Sequence, residues 1–468
     1  MSDPAETANL FSLLKKAIRG EEQNFTEGNL NRAILLLAVP MILEMAMESL
    51  FAIVDVFYVS RLHDNDAVAT VGLTESVMTL VYSIAFGGSM GVTAMVARRV
   101  GEKDYRGASI AAMQSIYIGV VLSVVIGIVG LFFAKDILHL MGASGGIIQE
   151  GTNYTRWMLG GNLTVMMIFL INAIFRGAGD ATLAMRTLWL SNGLNILLDP
   201  LFIFGAGPIP AFGVEGAAIA TNIGRGVGVT YQVYHLVKSK GIIKIHKENL
   251  AIQWGIIARL LKLSAGGTGQ FVIASASWIF LVRIVSAFGS AALAGYTIGI
   301  RVIIFTILPA WGMANAAATL VGQNLGANQP ERAEKSAWRT AFFNMIFLGS
   351  VSVLFLLIAA PIIKFFTADP EVIEGGMRCL QIVCLGYPFY AYGMVIAQSF
   401  NGAGDTRTPT VINFFGFWMF QIPLAFTLAN LLAVGPSGVY IAIAISESAI
   451  AIASIIIFRK GKWKMVKV

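Results

Sequence analysis

Acidic side chains interrupt two long apolar segments of this sequence. Glu44, Glu48 and Asp55 lie within one segment, and Asp199 lies within another. An α-helix turns by about 100° per residue, so the three acids of the first segment share one helix face with Phe51. A charged group at membrane depth costs at least ~2.5–3.5 kcal/mol. We therefore expect these acids to serve a function.

A second polar stripe accompanies Asp199. Asn192, Asn195 and Asp199 share one face of their own segment, and two polar stripes in lipid must face each other or a wet cavity. If Asp55 and Asp199 approach each other, their like charges favour the binding of a proton or Na⁺, with Asn195 as a neutral oxygen ligand. The alternative is that each acid pairs with an arginine or caps a neighbouring backbone.

The same segments contain further candidate residues. Pro40 and Pro200 interrupt the two acidic helices and free carbonyl groups that can bind a cation or permit a bend. Weaker candidates for the ion site are Glu44, Glu48, Asn192 and Asn172. Candidates for an aromatic solute cavity are Phe51, Tyr387 and Tyr390. The sequence assigns no partner or role to Arg225, Arg283, Arg301 and Glu447.

The composition is that of a membrane protein. Hydrophobic residues make up 56% of the 468 positions and charged residues 13%, whereas soluble domains have about 25% charged residues. Twelve apolar blocks are long enough to cross the roughly 30 Å of bilayer hydrocarbon as helices. The blocks are 33–59, 67–97, 109–134, 154–175, 183–205, 214–237, 257–287, 291–321, 338–363, 376–400, 409–433 and 437–458.

The basic residues predict the orientation of the chain. Lysine and arginine concentrate in alternate connections, such as 98–106 and 238–247, and in both terminal segments. By the positive-inside rule both termini are cytoplasmic, which an even number of helices requires. The net charge of +7 is therefore attributed to loops. We expect no nucleic-acid partner, because the chain has no basic face or recognition motif.

The chain also contains an internal repeat. Phe175-Arg176-Gly177-Ala178-Gly179-Asp180 recurs as Phe400-Asn401-Gly402-Ala403-Gly404-Asp405, an offset of 402 − 177 = 225, and Gly101 pairs with Gly326 at the same offset. Later, Gly213 and Gly216 match Gly435 and Gly438 at an offset of 222. Six helices per half predict two lobes related by a parallel repeat, with a cavity between them.

The repeat predicts the division of the chain. The expected parts are a cytoplasmic tail (1–32), an N-terminal lobe (33–240), a cytoplasmic linker (241–256), a C-terminal lobe (257–458) and a basic cytoplasmic tail (459–468). The first tail contains an amphipathic stretch that predicts either a short interfacial helix or a frayed segment.

Over essentially its whole length the sequence resembles the multidrug and toxic compound extrusion (MATE) transporters. The motifs that carry the resemblance are Ala38-Val39-Pro40, Val54-Asp55-Val56-Phe57-Tyr58-Val59, Ala67-Val68-Ala69-Thr70-Val71-Gly72, Phe175-Arg176-Gly177-Ala178-Gly179-Asp180, Asn195-Ile196-Leu197-Leu198-Asp199-Pro200 and Gly216-Ala217-Ala218-Ile219-Ala220-Thr221. The resemblance implies an antiporter in a bacterial or archaeal cytoplasmic membrane. It would export organic, often cationic and amphipathic, compounds in exchange for H⁺ or Na⁺, by rocking of the two lobes.

The resemblance is nearer to the branch named for DNA-damage-inducible protein F than to the NorM branch, whose members carry acids in helices 7 and 10. In the former branch the coupling site lies in the N-terminal lobe, which implies an ion site of Asp55, Asn195, Asp199 and Thr221. Several members have a tyrosine where this chain has Phe51, which leaves the choice of ion open. We expect no cofactor other than H⁺ or Na⁺ as the coupling ion, and we expect the protein to function as a monomer.

Two rival functions are weighed against this one. A flippase for lipid-linked sugars, from the same wider superfamily, requires a strongly cationic cavity, whereas the buried charges of the first half are mainly acidic. A membrane-embedded enzyme requires a nucleophile or metal constellation, which the four histidines and two cysteines do not provide.

Overall fold

The computed structural model describes residues 10–20, 24–62, 65–238 and 241–468. Within these ranges the chain is helical and has no β-strand. The helices are α1 (Leu10–Arg19), α2 (Leu30–Ser60), α3 (Asn65–Gly101), α4 (Tyr105–Leu140), α5 (Gly145–Gly160), α6 (Asn162–Ala178), α7 (Ala181–Phe204), α8 (Val214–Lys238), α9 (Trp254–Ser286), α10 (Ser290–Gly326), α11 (Pro330–Lys364), α12 (Pro370–Cys384), α13 (Tyr387–Gly402), α14 (Arg407–Leu431, partly π-helical) and α15 (Pro436–Arg459).

The helices account for the predicted membrane crossings. Ten spans among the described residues are long and apolar enough to cross a bilayer, with α5 and α6 joined in one of them, and the bent pair α12–α13 makes an eleventh. Helix α8 has the length of a crossing but is more polar, since it carries Thr221, Arg225 and Gln232. If α8 is counted by its length alone, the described residues contain twelve segments long enough to cross. Most helices extend several residues beyond the apolar blocks, because helix continues into the polar interface.

The repeat predicted from the glycine motifs is visible in the backbone. Gly179 and Gly404 both adopt left-handed conformations, with φ of 91° and 90°, and each precedes an aspartate whose side chain caps the next helix. The break between α5 and α6 at Gly161 and the 59° bend before α13, near Gly386, also lie at equivalent positions. Both halves therefore have the same helix pattern.

Each half has its own apolar core. The larger cluster of the first half is built mainly from α3, α4, α6 and α7, and that of the second half from α10, α11, α12, α13 and α15. Ile243, in the connection between the halves, packs into the first cluster. The expected all-helical fold of two lobes is confirmed.

The lobes meet through glycines placed symmetrically on α3 and α10. A Cβ at Gly101 would lie 2.0 Å from the carbonyl oxygen of Gln323, and a Cβ at Gly326 would lie 2.2 Å from that of Arg98. Gln323 and Arg98 are themselves repeat equivalents, so the contact is reciprocal, as in a twofold interface. This end of the molecule is closed by direct backbone contact.

Both terminal segments lie at this closed end. Thr182 Oγ1 donates to Ala17 O of α1 (2.8 Å), and Arg332 Nη1 of α11 donates to Gly28 O (3.0 Å). At the other terminus, Trp463 stacks on Phe458 and is 1% exposed. The N-terminal segment thus bonds to both lobes. The predicted amphipathic stretch forms a helix that packs mainly against α2 and also contacts α7, and residues 1–9 lie outside the described part.

The basic C-terminal segment is folded and also contacts both lobes. A 3₁₀ turn at Lys462–Met465 directs Lys464 to an ion pair with Glu334 of α11. Arg98 Nη2 of α3 donates to Val466 O (2.7 Å). These contacts place both termini on one side of the molecule, as an even number of crossings requires.

Candidate ion-coupling and solute site

Asp199 is the most deeply buried acid without a partner in the described structure. It lies on α7, which begins after the cap that Asp180 provides to Leu183 N (3.1 Å). The Asp199 side chain is 0% exposed, and neither of its carboxylate oxygens has a hydrogen-bond partner. A buried carboxylate that lacks donors is destabilised as an anion, so this site favours a bound cation.

Asp55 comes from α2 and interacts electrostatically with Asp199. The Asp55 carboxyl is half-buried and within electrostatic range of Asp199. Tyr154 of α5 is buried and within range of both acids. The structure therefore brings together two acids that are 144 residues apart in sequence (199 − 55). A proton or Na⁺ bound at these acids would cancel one of the two negative charges and so remove the repulsion between them.

Asn195 and Thr221 lie next to Asp199. Asn195 Nδ2 donates to Thr221 Oγ1 of α8 (3.1 Å), and both residues are buried. The Asn195 amide also lies alongside the Asp199 carboxyl, without a well-formed hydrogen bond to it. Asn195 Oδ1 has no partner. Three unpartnered oxygens, two from Asp199 and one from Asn195, are thus available to a hard cation such as Na⁺ or to a protonated water.

Glu44, a weaker candidate, is instead hydrogen-bonded through one carboxylate oxygen, and its other oxygen, Oε2, has no partner. Its Oε1 accepts from Arg176 Nη1 (2.7 Å) and Asn172 Nδ2 (3.0 Å). Gln232 Nε2 of α8 in turn donates to Asn172 Oδ1 (2.7 Å). Glu44 and Asn172 are both fully buried. This network joins α2, α6 and α8 and follows the alternative in which a buried acid pairs with an arginine.

Glu48 is also paired. Its Oε2 accepts from Asn192 Nδ2 (2.8 Å), and its Oε1 lies 3.6 Å from Arg225 Nη2. The guanidinium of Arg225 is surrounded by aromatic rings, including Phe51 at 5.7 Å and Tyr82 at 5.6 Å from the ring centroids. Arg225 is thereby a countercharge within the lobe, and Phe51 packs against it.

The charges of the N-terminal lobe therefore divide into two groups. Glu44 and Glu48 each have an arginine partner, whereas neither Asp55 nor Asp199 forms an ion pair among the described residues. Arg225 lies within electrostatic range of Asp55 but is bonded to Glu48. The interior at Asp55 and Asp199 is therefore net negative. This imbalance can be corrected by an incoming cation.

The two prolines do not break their helices. Helix α2 runs through Pro40 and α7 runs through Pro200. Each proline lacks an N–H, which leaves the carbonyl four residues earlier without its helical donor. For Pro200 that carbonyl belongs to Ile196, on the turn between Asn195 and Asp199.

Tyr390 and Tyr387 lie in different environments. Tyr390 lines a cavity of about 170 Å³ in the C-terminal lobe, with Phe271 and Trp311. Tyr387 is 2% exposed in the core of that lobe, where its hydroxyl bonds to Thr306 Oγ1 (3.2 Å). Tyr387 therefore does not line this cavity, because the bend before α13 turns it towards Phe355.

The other arginines of the apolar segments are exposed. Arg283 and Arg301 both have solvent-accessible side chains, and Arg301 is within electrostatic range of Glu75, itself exposed. Sequence reasoning missed two residues. Tyr154 lies within electrostatic range of Asp55 and Asp199, and Gln232 is hydrogen-bonded to Asn172 in the network around Glu44. No local spacing marks them, because each is brought in by a separate helix.

Two long segments of this chain match the model of a known protein family. The MatE family profile matches residues 40–201 and 269–427, one segment in each half. The chain belongs to the MATE family. Its named relatives are transporters and not enzymes, and this chain is a multi-pass membrane transporter of that family.

Individual MATE proteins match at nearly full length. The "Probable multidrug resistance protein NorM" of Thermotoga maritima is 26% identical over 97% of both chains. The crystal structure of MATE in the straight conformation superposes with a TM-score of 0.88 and 27% identity, covering 95% of this chain and 98% of the other. An outward-facing multidrug resistance MATE transporter gives a TM-score of 0.88 and 26% identity, covering 94% and 98%.

Proposed function

We propose that this protein is a secondary antiporter that exports organic, often cationic and amphipathic, compounds in exchange for H⁺ or Na⁺. The observation that carries the proposal is the unpartnered Asp199 carboxylate beside Asp55, in a lobe whose other interior acids are paired. The names of the relatives that resemble this chain support multidrug compounds as the solutes.

The geometry supports a coupling mechanism in the N-terminal lobe. A cation at Asp55 and Asp199 would remove the repulsion between α2 and α7 and let these helices approach, with Asn195 and Thr221 completing the shell. Pro40 and Pro200 allow the helices to bend at little cost in backbone hydrogen bonds. We propose that the chain belongs to the branch named for DNA-damage-inducible protein F, because the coupling site of that branch also lies in the N-terminal lobe.

The proposal also includes an orientation of the chain in the membrane. We place both termini in the cytoplasm of a bacterial or archaeal cell, on the basis of the lysine and arginine distribution. The closed end formed by Gly101 and Gly326 is then the cytoplasmic end. A single chain would suffice for transport in this proposal, because Asp55, Asn195, Asp199 and Thr221 all lie in one lobe of one chain.

Efflux from proteoliposomes tests the proposal. Purified protein is reconstituted, and ethidium export is followed under an imposed pH gradient or an imposed sodium gradient. We expect export under at least one gradient, and its loss in Asp55→Asn and in Asp199→Asn. Glu374→Gln, which removes an exposed carboxylate paired with Arg378, is the matched control. Gradient-driven export that survives in both aspartate variants would refute the coupling site.

A further inference from the structure

Glu447 is an acid that takes no part in the proposed coupling mechanism. It lies on α15 and is half-buried, and it lines the cavity in the C-terminal lobe. Within the described part of the chain it forms no ion pair, and no side chain donates a hydrogen bond to it. Glu447 is the only side chain of that cavity lining that is ordinarily charged at neutral pH.

The rest of the lining consists of aromatic, sulfur-containing and aliphatic residues and four neutral amides. Rings and thioethers surround the space: Phe271, Trp311, Tyr390, Phe417, Met90 and Met394. The amides at one end satisfy each other, since Gln270 Nε2 donates to Asn401 Oδ1 (2.9 Å) and Asn401 Nδ2 donates to Gln398 Oε1 (3.2 Å). None of these three amides donates a hydrogen bond to Glu447. Tyr390 lies within electrostatic range of Glu447.

The internal repeat sharpens the contrast with the N-terminal lobe. The offset of 222 that relates Gly213 and Gly216 to Gly435 and Gly438 places Glu447 at the position equivalent to Arg225. Arg225 is paired with Glu48 and enclosed by rings. The equivalent position in the C-terminal lobe thus has the opposite charge, and its aromatic surroundings contain no partner cation.

The cavity also reaches the interface between the lobes. Met90 belongs to α3 of the first half, whereas Phe271 and Trp311 belong to the second. These three residues also line a smaller adjoining cavity that extends to Arg176. A solute bound against Glu447 would therefore contact both lobes, and its binding would respond to their relative movement.

We propose that Glu447 is the anionic anchor of a solute subsite in the C-terminal lobe, which binds the positive centre of an organic cation while Phe271, Trp311, Tyr390 and Phe417 hold its apolar groups. Aromatic faces attract such cations, and thioethers adapt to irregular apolar shapes. The inference rests on the proposed export function and names the solute class that this subsite selects.

A charge-reversed pair of ligands tests the subsite without any ion gradient. Tetraphenylphosphonium and tetraphenylborate have nearly the same shape and opposite charge, and their dissociation constants are measured by equilibrium dialysis against purified protein. We expect the wild type to prefer the cation. Glu447→Gln is expected to weaken cation binding by about tenfold, as loss of one partly desolvated charge contact implies, without weakening anion binding. Glu374→Gln should leave both constants unchanged.

Two further measurements keep the outcomes separate. Glu447→Asp retains the charge and should keep the cation preference, so that it decides the question if Glu447→Gln does not fold. An unchanged cation-to-anion ratio in a folded Glu447→Gln protein, or equal binding of both ions by the wild type, would overturn the subsite. Glu447-dependent selectivity without gradient-driven export would refute the proposed antiport alone, whereas export that ignores Glu447 would refute the subsite alone.

Discussion

Arg225 Nη2 lies 3.6 Å from Glu48 Oε1 inside the N-terminal lobe, so the guanidinium forms its ion pair with Glu48 and only acts on Asp55 from a longer distance. The pair is 4% and 17% exposed at the two side chains. The remaining acids of the site, Asp55 and Asp199, are left without a fixed cation. In the proposed coupling site, the access of an external ion to these two acids would thus depend on the neighbouring Glu48–Arg225 pair.

Glu48→Gln is therefore expected to weaken ion coupling without altering Asp55 or Asp199. The freed Arg225 would be attracted to Asp55 and would compete with the transported ion. We expect the half-saturating concentration of the coupling ion to rise by about tenfold, the effect of ~1.4 kcal/mol. Efflux is measured in proteoliposomes as a function of ion concentration.

The double variant Glu48→Gln/Arg225→Gln is the control, since it removes both charges of the pair. It should restore the ion dependence towards that of the wild type. Equal ion dependence in the single variant and the wild type would contradict the competing role of Arg225.

Glu44→Gln is expected to reduce stability and to leave the coupling ion unchanged. Arg176 would remain buried without its carboxylate partner, and removing one member of a buried pair costs about 3–5 kcal/mol. Thermal unfolding of the purified protein should show a lower midpoint than Glu374→Gln. A midpoint equal to that of the control, or a changed ion requirement at permissive temperature, would contradict the structural role of Glu44.

Gly101→Ala is expected to open the closed end of the molecule. The added Cβ would collide with the Gln323 carbonyl at 2.0 Å, and backbone on both sides leaves no flexible group to yield. Spin labels on the turns after α3 and α10 should report a longer inter-lobe distance by double electron–electron resonance. Gly72→Ala, on the same helix with nothing within 4 Å, should leave the distances unchanged. An unchanged distribution in Gly101→Ala would refute the contact as a closure.

Arg332→Ala is expected to release the N-terminal segment from the C-terminal lobe. Its guanidinium donates to the carbonyls of Gly28 (3.0 Å) and Glu27 (2.9 Å), so the variant removes the bonds that tie these residues to α11. Hydrogen–deuterium exchange of residues 24–29 should become faster. Arg339→Ala, an exposed arginine of the same helix, is the comparison. Equal protection in both variants would show that the bonds do not order the segment.

Much of the fold could be predicted from the sequence. Long apolar blocks indicate membrane helices because lipid offers no partner for unpaired backbone groups, and the glycine motifs at an offset of 225 indicate the two halves. The helix period placed Glu44, Glu48 and Asp55 on one stripe. The helix ends were less well predicted, since helix α11 begins at Pro330, eight residues before its apolar block at 338. Polar helix extensions have no hydropathy signal.

The candidate site was only partly predictable, because its chemistry depends on contacts between helices. The acids themselves follow from local sequence, but nothing local shows that Glu44 meets Arg176, that Glu48 meets Arg225, or that Asp199 meets no donor. Hydrogen bonds and ion pairs of this kind join residues more than a hundred positions apart. Their presence is decided by how the helices pack.

By itself the sequence determined the helical membrane fold, the repeat and the stripes of acids, since these depend on composition and periodicity along one helix. The tertiary structure decided which acids are neutralised and which of two neighbouring tyrosines, Tyr387 or Tyr390, faces the cavity. It also placed Glu447 in an aromatic space without a partner. A charge is compensated only by groups within a few ångströms, and at that range packing between helices decides the neighbours.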